Sequence, residues 1–199
     1  EREIRAAAGI LFLLMFVSIS NAAQGDFTLL KYAIIIFLVD MLIRVLINPK
    51  FAPTLIIGKW IVRNQTPEYV GARQKKFAWK IGIVLAVIML VLVVIVNSFS
   101  PISGLICFIC LIFLFFESAF GICLGCKVYP WFFKDKVQYC PGEVCEIKDR
   151  QPIQKTSLAQ LFIVIAYVIF IVALYFLFNE IFSIEPFDLF GLEEKMNAH

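Results

Sequence analysis

Charge is scarce in this chain. Asp, Glu, Lys and Arg make up 17% of its 199 residues, against about 25% in a soluble globular domain. Histidine is almost missing, with His199 alone, so a His-rich metal centre is excluded. The chain starts at Glu1, without a Met and without a basic stretch leading into an apolar run with a small-residue cleavage site. The first apolar segment is therefore expected to be a mature helix rather than a removed leader. A prenylation box, a twin-arginine signal and a retention tetrapeptide are lacking too. No stretch outside the apolar runs is long enough for a second hydrophobic core, so one compact bundle is expected. A net charge of +3 is no footprint of a nucleic-acid partner, and none is expected.

What is abundant is apolar sequence, at 61% of residues, arranged in runs too long and uniform for soluble core helices. The expected fold class is an all-α integral membrane protein lodged in a lipid bilayer. Five spanning segments are marked: Ala6 to Ala23, Phe27 to Ile47, Phe77 to Val96, Pro101 to Gly121 and Leu158 to Phe178. Each has about 18–22 residues, which at about 1.5 Å per residue crosses a hydrocarbon core of about 30 Å. Short links at Asn21 to Asp26 and Asn97 to Ser100 make two antiparallel hairpins, leaving the C-terminal helix to pack against them. The chain divides into a four-helix core over 1–130, a Cys-containing loop over 131–157, and a fifth helix with an acidic tail over 158–199.

Basic residues set the orientation. All 18 Lys and Arg except Lys31 and Lys195 fall on one side of this topology. That side is read as the cytoplasmic face, with the N-terminus inside. The tail carrying Glu180, Glu185, Asp188, Glu193 and Glu194 then lies outside. The Pro53–Arg63 stretch sets Ile56, Ile57, Trp60 and Ile61 on one helical face, with Lys59 and Arg63 on another. It reads as an interfacial amphipathic helix. Tyr129, Trp131, Phe132 and Phe133 read as an aromatic belt.

The six cysteines fall into pairs: Cys107/Cys110 inside the fourth segment, Cys123/Cys126 at its basic end, and Cys140/Cys145 in the following loop. A Cys-x-x-Cys spacing lets two sulfurs meet across one turn, suiting a redox dithiol or half of a tetrahedral metal site. Gly121 and Gly125 frame the pair, so the helix is expected to break there. Three readings stay open. Cys123, Cys126, Cys140 and Cys145 form a thiol or persulfide relay, hold Zn²⁺ or an Fe–S cluster, or are structural. Cys107 and Cys110 read as packing residues, since cysteine behaves there as a small apolar side chain; the alternative, a transmembrane relay, would need helix motion or a second carrier, because a straight helix puts Cys110 about 20 Å from Cys123.

Three ionisable residues fall inside the membrane: Asp40 and Arg44, which share a face at i, i+4, and Glu117. A single Asp40–Arg44–Glu117 cluster beneath Cys123 is expected. It would act either as a structural ion pair or to stabilise a thiolate and move protons.

The residues Phe120-Gly121-x-Cys123-x-Gly125-Cys126-x-x-Tyr129, after a Pro-started apolar helix, resemble the signature of a bacterial membrane-protein family known as domain of unknown function 4395. Asn48-Pro49 and Lys76-Phe77-Ala78 resemble its pattern further, though members more often carry Arg where this chain has Lys76. The resemblance covers about residues 1–130. It brings no settled activity. It implies association with thioredoxin-like and sulfurtransferase partners, and hence thiol or sulfur chemistry, with Gly121, Cys123, Gly125, Cys126 and Tyr129 as the signature positions. Two readings of other classes remain: a non-enzymatic anchor or assembly subunit of a larger membrane complex, and a transporter for a small sulfur anion.

Overall fold

In the computed structural model, residues 2–65, 72–132 and 157–188 are described. They form seven α-helices: α1 Arg2–Ala22, α2 Thr28–Leu42, α3 Pro53–Ile61, α4 Ala72–Met89, α5 Pro101–Phe115, α6 Leu124–Phe132 and α7 Leu158–Phe182. α2, α4 and α5 run on into π-helical turns at Ile43–Ile47, Leu90–Ile95 and Phe116–Phe120. The chain is an all-α membrane protein. Among the described residues, strand structure amounts to one two-residue parallel pairing, β1 Ser98–Phe99 with β2 Phe187–Asp188.

Four of these helices are long and apolar enough to cross a membrane: α1, α4 and α5 with their π turns, and α7. α2 differs because Lys31, Asp40 and Arg44 dilute its apolar run. It crosses the bundle all the same, since Lys31 meets Ile184 at one end and Arg44 meets Thr54 at the other. The charges are tolerable because α2 is central: ten of its fifteen residues are buried. Leu30, Ala33, Ile34, Phe37 and Met41 of α2 pack with Leu11 and Met15 of α1 and with Trp79 and Met89 of α4. Its other face meets α7, where Tyr32 and Ile36 pack on Tyr167 and Phe182 and the Tyr167 hydroxyl donates to Ile36 O at 2.8 Å. α7 itself buries only Gln160, Tyr167 and Phe182. Its remaining apolar surface suits lipid.

The helix starts follow local chemistry. Ser100 caps α5, its Oγ accepting the Ser103 N–H, with Pro101 in the first turn where no N–H is needed. Ser157 and Gln160 form a capping box on α7. The Gln160 Nε2 also donates to Lys50 O, docking the start of α7 on the turn after α2.

α3 lies at the basic end, where the amphipathic helix was expected, and it is built into the protein. A Cβ on Gly58 would sit 2.6 Å from Glu3 O, so α3 and α1 touch backbone to backbone. Ile56 is fully buried while Ile61 is exposed. Lys59, expected on an outer face, is buried, and burial pulls its ammonium below the usual lysine range.

One buried network joins α3 to α2. Arg44 Nε donates to Asp40 Oδ2 at 2.8 Å, and Arg44 Nη2 to Thr54 Oγ1 at 2.6 Å. Thr54 gives its N–H to Asp40 Oδ1 at 3.0 Å and its hydroxyl to Asp40 Oδ2 at 2.7 Å. Asp40 is 0% exposed and Arg44 2%. Breaking such a pair leaves an uncompensated buried charge. Asp40→Ala is expected to destabilise the protein by about 3–5 kcal/mol. The double variant Asp40→Ala/Arg44→Met should lose less than the sum of the two single losses, in a double-mutant cycle read from unfolding in mixed micelles.

Candidate functional site

The site begins where α5 ends. After the π turn, Gly121 takes a left-handed conformation (φ +68°) and the chain reverses. A helix cannot continue through that geometry, and glycine adopts it without a Cβ clash. Arg5, from the start of α1, completes the stop: its Nη2 donates to Ala119 O at 2.9 Å and its Nε to Ser118 O at 3.4 Å. A guanidinium on the last carbonyls also complements the negative end of the helix dipole.

The new helix, α6, then starts on Cys123. The Cys123 carbonyl accepts the first N–H bonds of α6, from Cys126 at 3.0 Å and Lys127 at 3.2 Å. Its Sγ also accepts the Cys126 N–H, at 3.2 Å. Cys123 therefore stands as the N-cap, with its sulfur at the positive end of the helix. Cys123 and Cys126 are joined as a disulfide, with Cα atoms 5.1 Å apart. α6 is held against α4 by Gly125, where a Cβ would fall 2.8 Å from Ala78 Cβ and 3.0 Å from Ala78 Cα. The framing glycines thus have separate causes: Gly121 turns the chain, and Gly125 permits close approach.

Cys123 lines a cavity of about 50 Å³ between α2, α4, α5 and α6, together with Glu117, Cys110, Trp79 and Phe113. The reversal at Gly121 changes the straight-helix estimate for the cysteines, since it brings Cys123 back to a cavity that Cys110 also lines. Cys107 is buried in the bundle core.

The expected three-residue cluster is two separate pairs. Arg44 is taken up by Asp40 and Thr54. Glu117 is paired with Lys75 of α4, whose Nζ lies 2.9 Å from Glu117 Oε1. Trp79 touches both regions: Arg44 Cζ stands 5.5 Å over its ring, and the ring lines the cavity. The cause is helix rotation. α2 turns Asp40 and Arg44 toward α3, and α4 supplies its own cation to α5.

Arg5, Lys75 and Trp79 are the contributors that sequence reasoning missed. Arg5 and Lys75 had been counted only as charges that set orientation. Lys75 and Trp79 are i, i+4 and share a helical face, a signal that was available. Tyr129 lies on α6, but its side chain is outside the described residues. Cys140 and Cys145 are also outside them, so a four-cysteine relay or metal site is not represented here. Among the described residues no three His, Cys, Asp or Glu side chains group to hold a metal ion.

Residues 1–134 match the sequence model of a family described as a domain of unknown function (DUF4395). The chain belongs to that family. The match takes in α1 through α6 and stops before α7. No curated protein and no solved structure matches the chain.

The Gly125–Ala78 contact is open to a direct test. Gly125→Ala is expected to push α6 off α4 and cost about 1–3 kcal/mol. Adding Ala78→Gly removes the opposing Cβ and should recover part of that loss. Thermal unfolding of both variants measures the effect, and equal melting of Gly125→Ala and wild type would show that the contact is not tight.

Proposed function

We propose that this protein is a small inner-membrane thiol–disulfide or sulfur-relay protein, its Cys123/Cys126 pair exchanging with a thioredoxin-like or sulfurtransferase partner. One observation carries the reading. The disulfide is set on the first turn of a helix, with the Cys123 sulfur taking a backbone N–H. Such a position favours the thiolate over the thiol and lowers a cysteine's pKa from about 8.5. The basic end, which carries the disulfide, faces the cytoplasm in this reading, supported by the distribution of Lys and Arg.

A partner thiolate attacks Cys126 Sγ, forming a mixed disulfide and releasing Cys123 as the thiolate. Cys123 is the better leaving group because the helix end stabilises its charge. The partner's second thiol then attacks its own sulfur in the mixed disulfide and frees Cys126. The partner dithiol becomes a disulfide, and the Cys123–Cys126 bond becomes two thiols: two electrons and two protons are transferred. Glu117, on the same cavity as Cys123, is placed to take up or return the proton of the Cys123 thiol. Cys140 and Cys145 serve as the resolving or receiving pair. In the reverse direction the Cys126 thiolate attacks the partner disulfide, and Cys123 resolves the mixed disulfide by attacking Cys126 Sγ.

Two measurements test this. In the reduced protein, Cys123 should alkylate with an apparent pKa about one unit or more below 8.5, while Cys126 stays near it. In cells, Cys123→Ser should accumulate a covalent adduct through Cys126 and Cys126→Ser an adduct through Cys123, with more from Cys123→Ser. If neither variant captures a partner and both behave as wild type, thiol exchange is not the function. A stable complex retained by a cysteine-free variant would point instead to an anchoring subunit.

A further inference from the structure

The cavity beneath the disulfide has properties that exchange with a protein partner does not require. It lies between α2, α4, α5 and α6 and is partly open, and its walls are mainly apolar and soft: Phe37, Met41, Trp79, Phe113 and Cys110. Its polar features are few. Glu117 is already paired with Lys75. The Trp79 side chain is only 8% exposed, and its Nε1 is a buried N–H without a hydrogen-bond partner among the described residues. Indole N–H donates only, so what would satisfy it is a small acceptor atom in the cavity. A buried donor left unmatched is costly, which makes the unpartnered group informative.

Size narrows the occupant. At about 50 Å³ the cavity has room for a few atoms. A water needs about 10–15 Å³ by this kind of measure, and a cavity of about 150 Å³ holds a benzene ring. An aromatic ring, a nucleotide or an amino-acid side chain with its backbone is too large to be taken up whole. Polarity narrows it further, because a mainly apolar lining disfavours a hydrated ion. Reactivity supplies the third limit. Among the lining residues the electrophile is Cys123, whose disulfide sulfur a sulfur nucleophile attacks.

Resting on the thiol-exchange reading above, we propose that this cavity admits a small uncharged thiol, the size of hydrogen sulfide or methanethiol, and presents it to Cys123. The thiol sulfur accepts from Trp79 Nε1 and loses its proton toward Glu117. It bonds to Cys123 Sγ while the Cys123–Cys126 bond breaks, and the proton ends on the Cys126 thiolate. Hydrogen sulfide gives a Cys123 persulfide and a Cys126 thiol; methanethiol gives a methyl disulfide on Cys123. In each case the incoming sulfur is oxidised and the protein disulfide reduced, with no further reagent. The small thiol reaches Cys123 from within the bundle, whereas a protein partner takes Cys126 from outside.

The test uses the full chain, oxidised and in lipid nanodiscs, with sulfide, methanethiol, 2-mercaptoethanol and glutathione as probes and thioredoxin as the protein dithiol. Rates of disulfide opening are compared after division by each thiol's intrinsic rate with a free dipeptide disulfide. Mass spectrometry locates the adduct. Gly82 lines the cavity, and a Cβ there would meet only ordinary contacts, 3.6 Å from Phe37 Cζ. Gly82→Leu therefore fills the space, and Trp79→Phe removes the N–H.

Sulfide and methanethiol should exceed the larger thiols by about tenfold and mark Cys123. Gly82→Leu should lower their rates by about tenfold, the scale at which a pocket discriminates small groups. Trp79→Phe should lower them several-fold with normal folding, and the thioredoxin rate should hold in both variants. Rates that ignore probe size, or that survive Gly82→Leu, overturn the cavity proposal while thioredoxin turnover upholds thiol exchange. A disulfide inert to every probe, thioredoxin included, overturns both.

Discussion

The bundle depends on a polar knot that a lipid-embedded protein would seem better without. Asp40, Arg44 and Thr54 satisfy one another in a site that excludes water, with Thr54 contributing both its hydroxyl and its backbone N–H. Two buried charges are expensive, and their attraction offsets that only when geometry and further hydrogen bonds are complete. Completeness here demands that α3 stand at one position against the end of α2. That position draws in the rest: Gly58 presses α3 onto α1, and Arg44 stands over Trp79 of α4. The knot is therefore best understood as fixing the register of four helices.

A second chain of dependence runs to the disulfide. Arg5 reaches from α1 to close the carbonyls at the end of α5, the left-handed Gly121 reverses the chain, and Gly125 lets α6 lie on α4. Each step is local, yet together they set the Cys123 sulfur on a helix N-terminus, with Cys123 lining a cavity between the helices. The opposite end is closed more simply. Buried Lys31 donates to Ile184 O at 2.6 Å, and Asn97 receives the Phe187 N–H at 2.8 Å, tying the segment after α7 to the α4–α5 link. One end is built from ion pairs and tight glycine contacts, the other from hydrogen bonds to main-chain carbonyls.

The contrast between α2 and α7 shows how environment, not composition, assigns a helix its place. Both are apolar on nearly every face. α2 carries ionisable residues and is enclosed by protein on both sides; α7 carries none until Glu180 and is largely open to lipid. A charge in a spanning helix requires protein around it. The three ionisable residues of α2 thus already indicated that it would be the enclosed one.

The sequence by itself determined the class, the membrane setting, the spanning helices to within a few residues, the break at Gly121 and the Cys123/Cys126 pairing site, while α6, read as loop, came only from the structure. These are local properties: an apolar run is long enough or not, a proline starts a helix, a glycine permits φ > 0, and a three-residue spacing brings two sulfurs within reach. The tertiary structure alone decided which charge meets which. Asp40 and Arg44 were legible as partners because they are one turn apart on one helix. Thr54 as their third member, Lys75 rather than Arg44 as the partner of Glu117, and Arg5 as the clamp on α5 were not legible. Their pairing depends on how each helix is rotated and which neighbours it meets. The same holds for Cys110 and Cys123, distant along a straight helix but lining one cavity once the chain folds back. Those outcomes follow from packing between segments far apart in sequence, which neither periodicity nor spacing encodes.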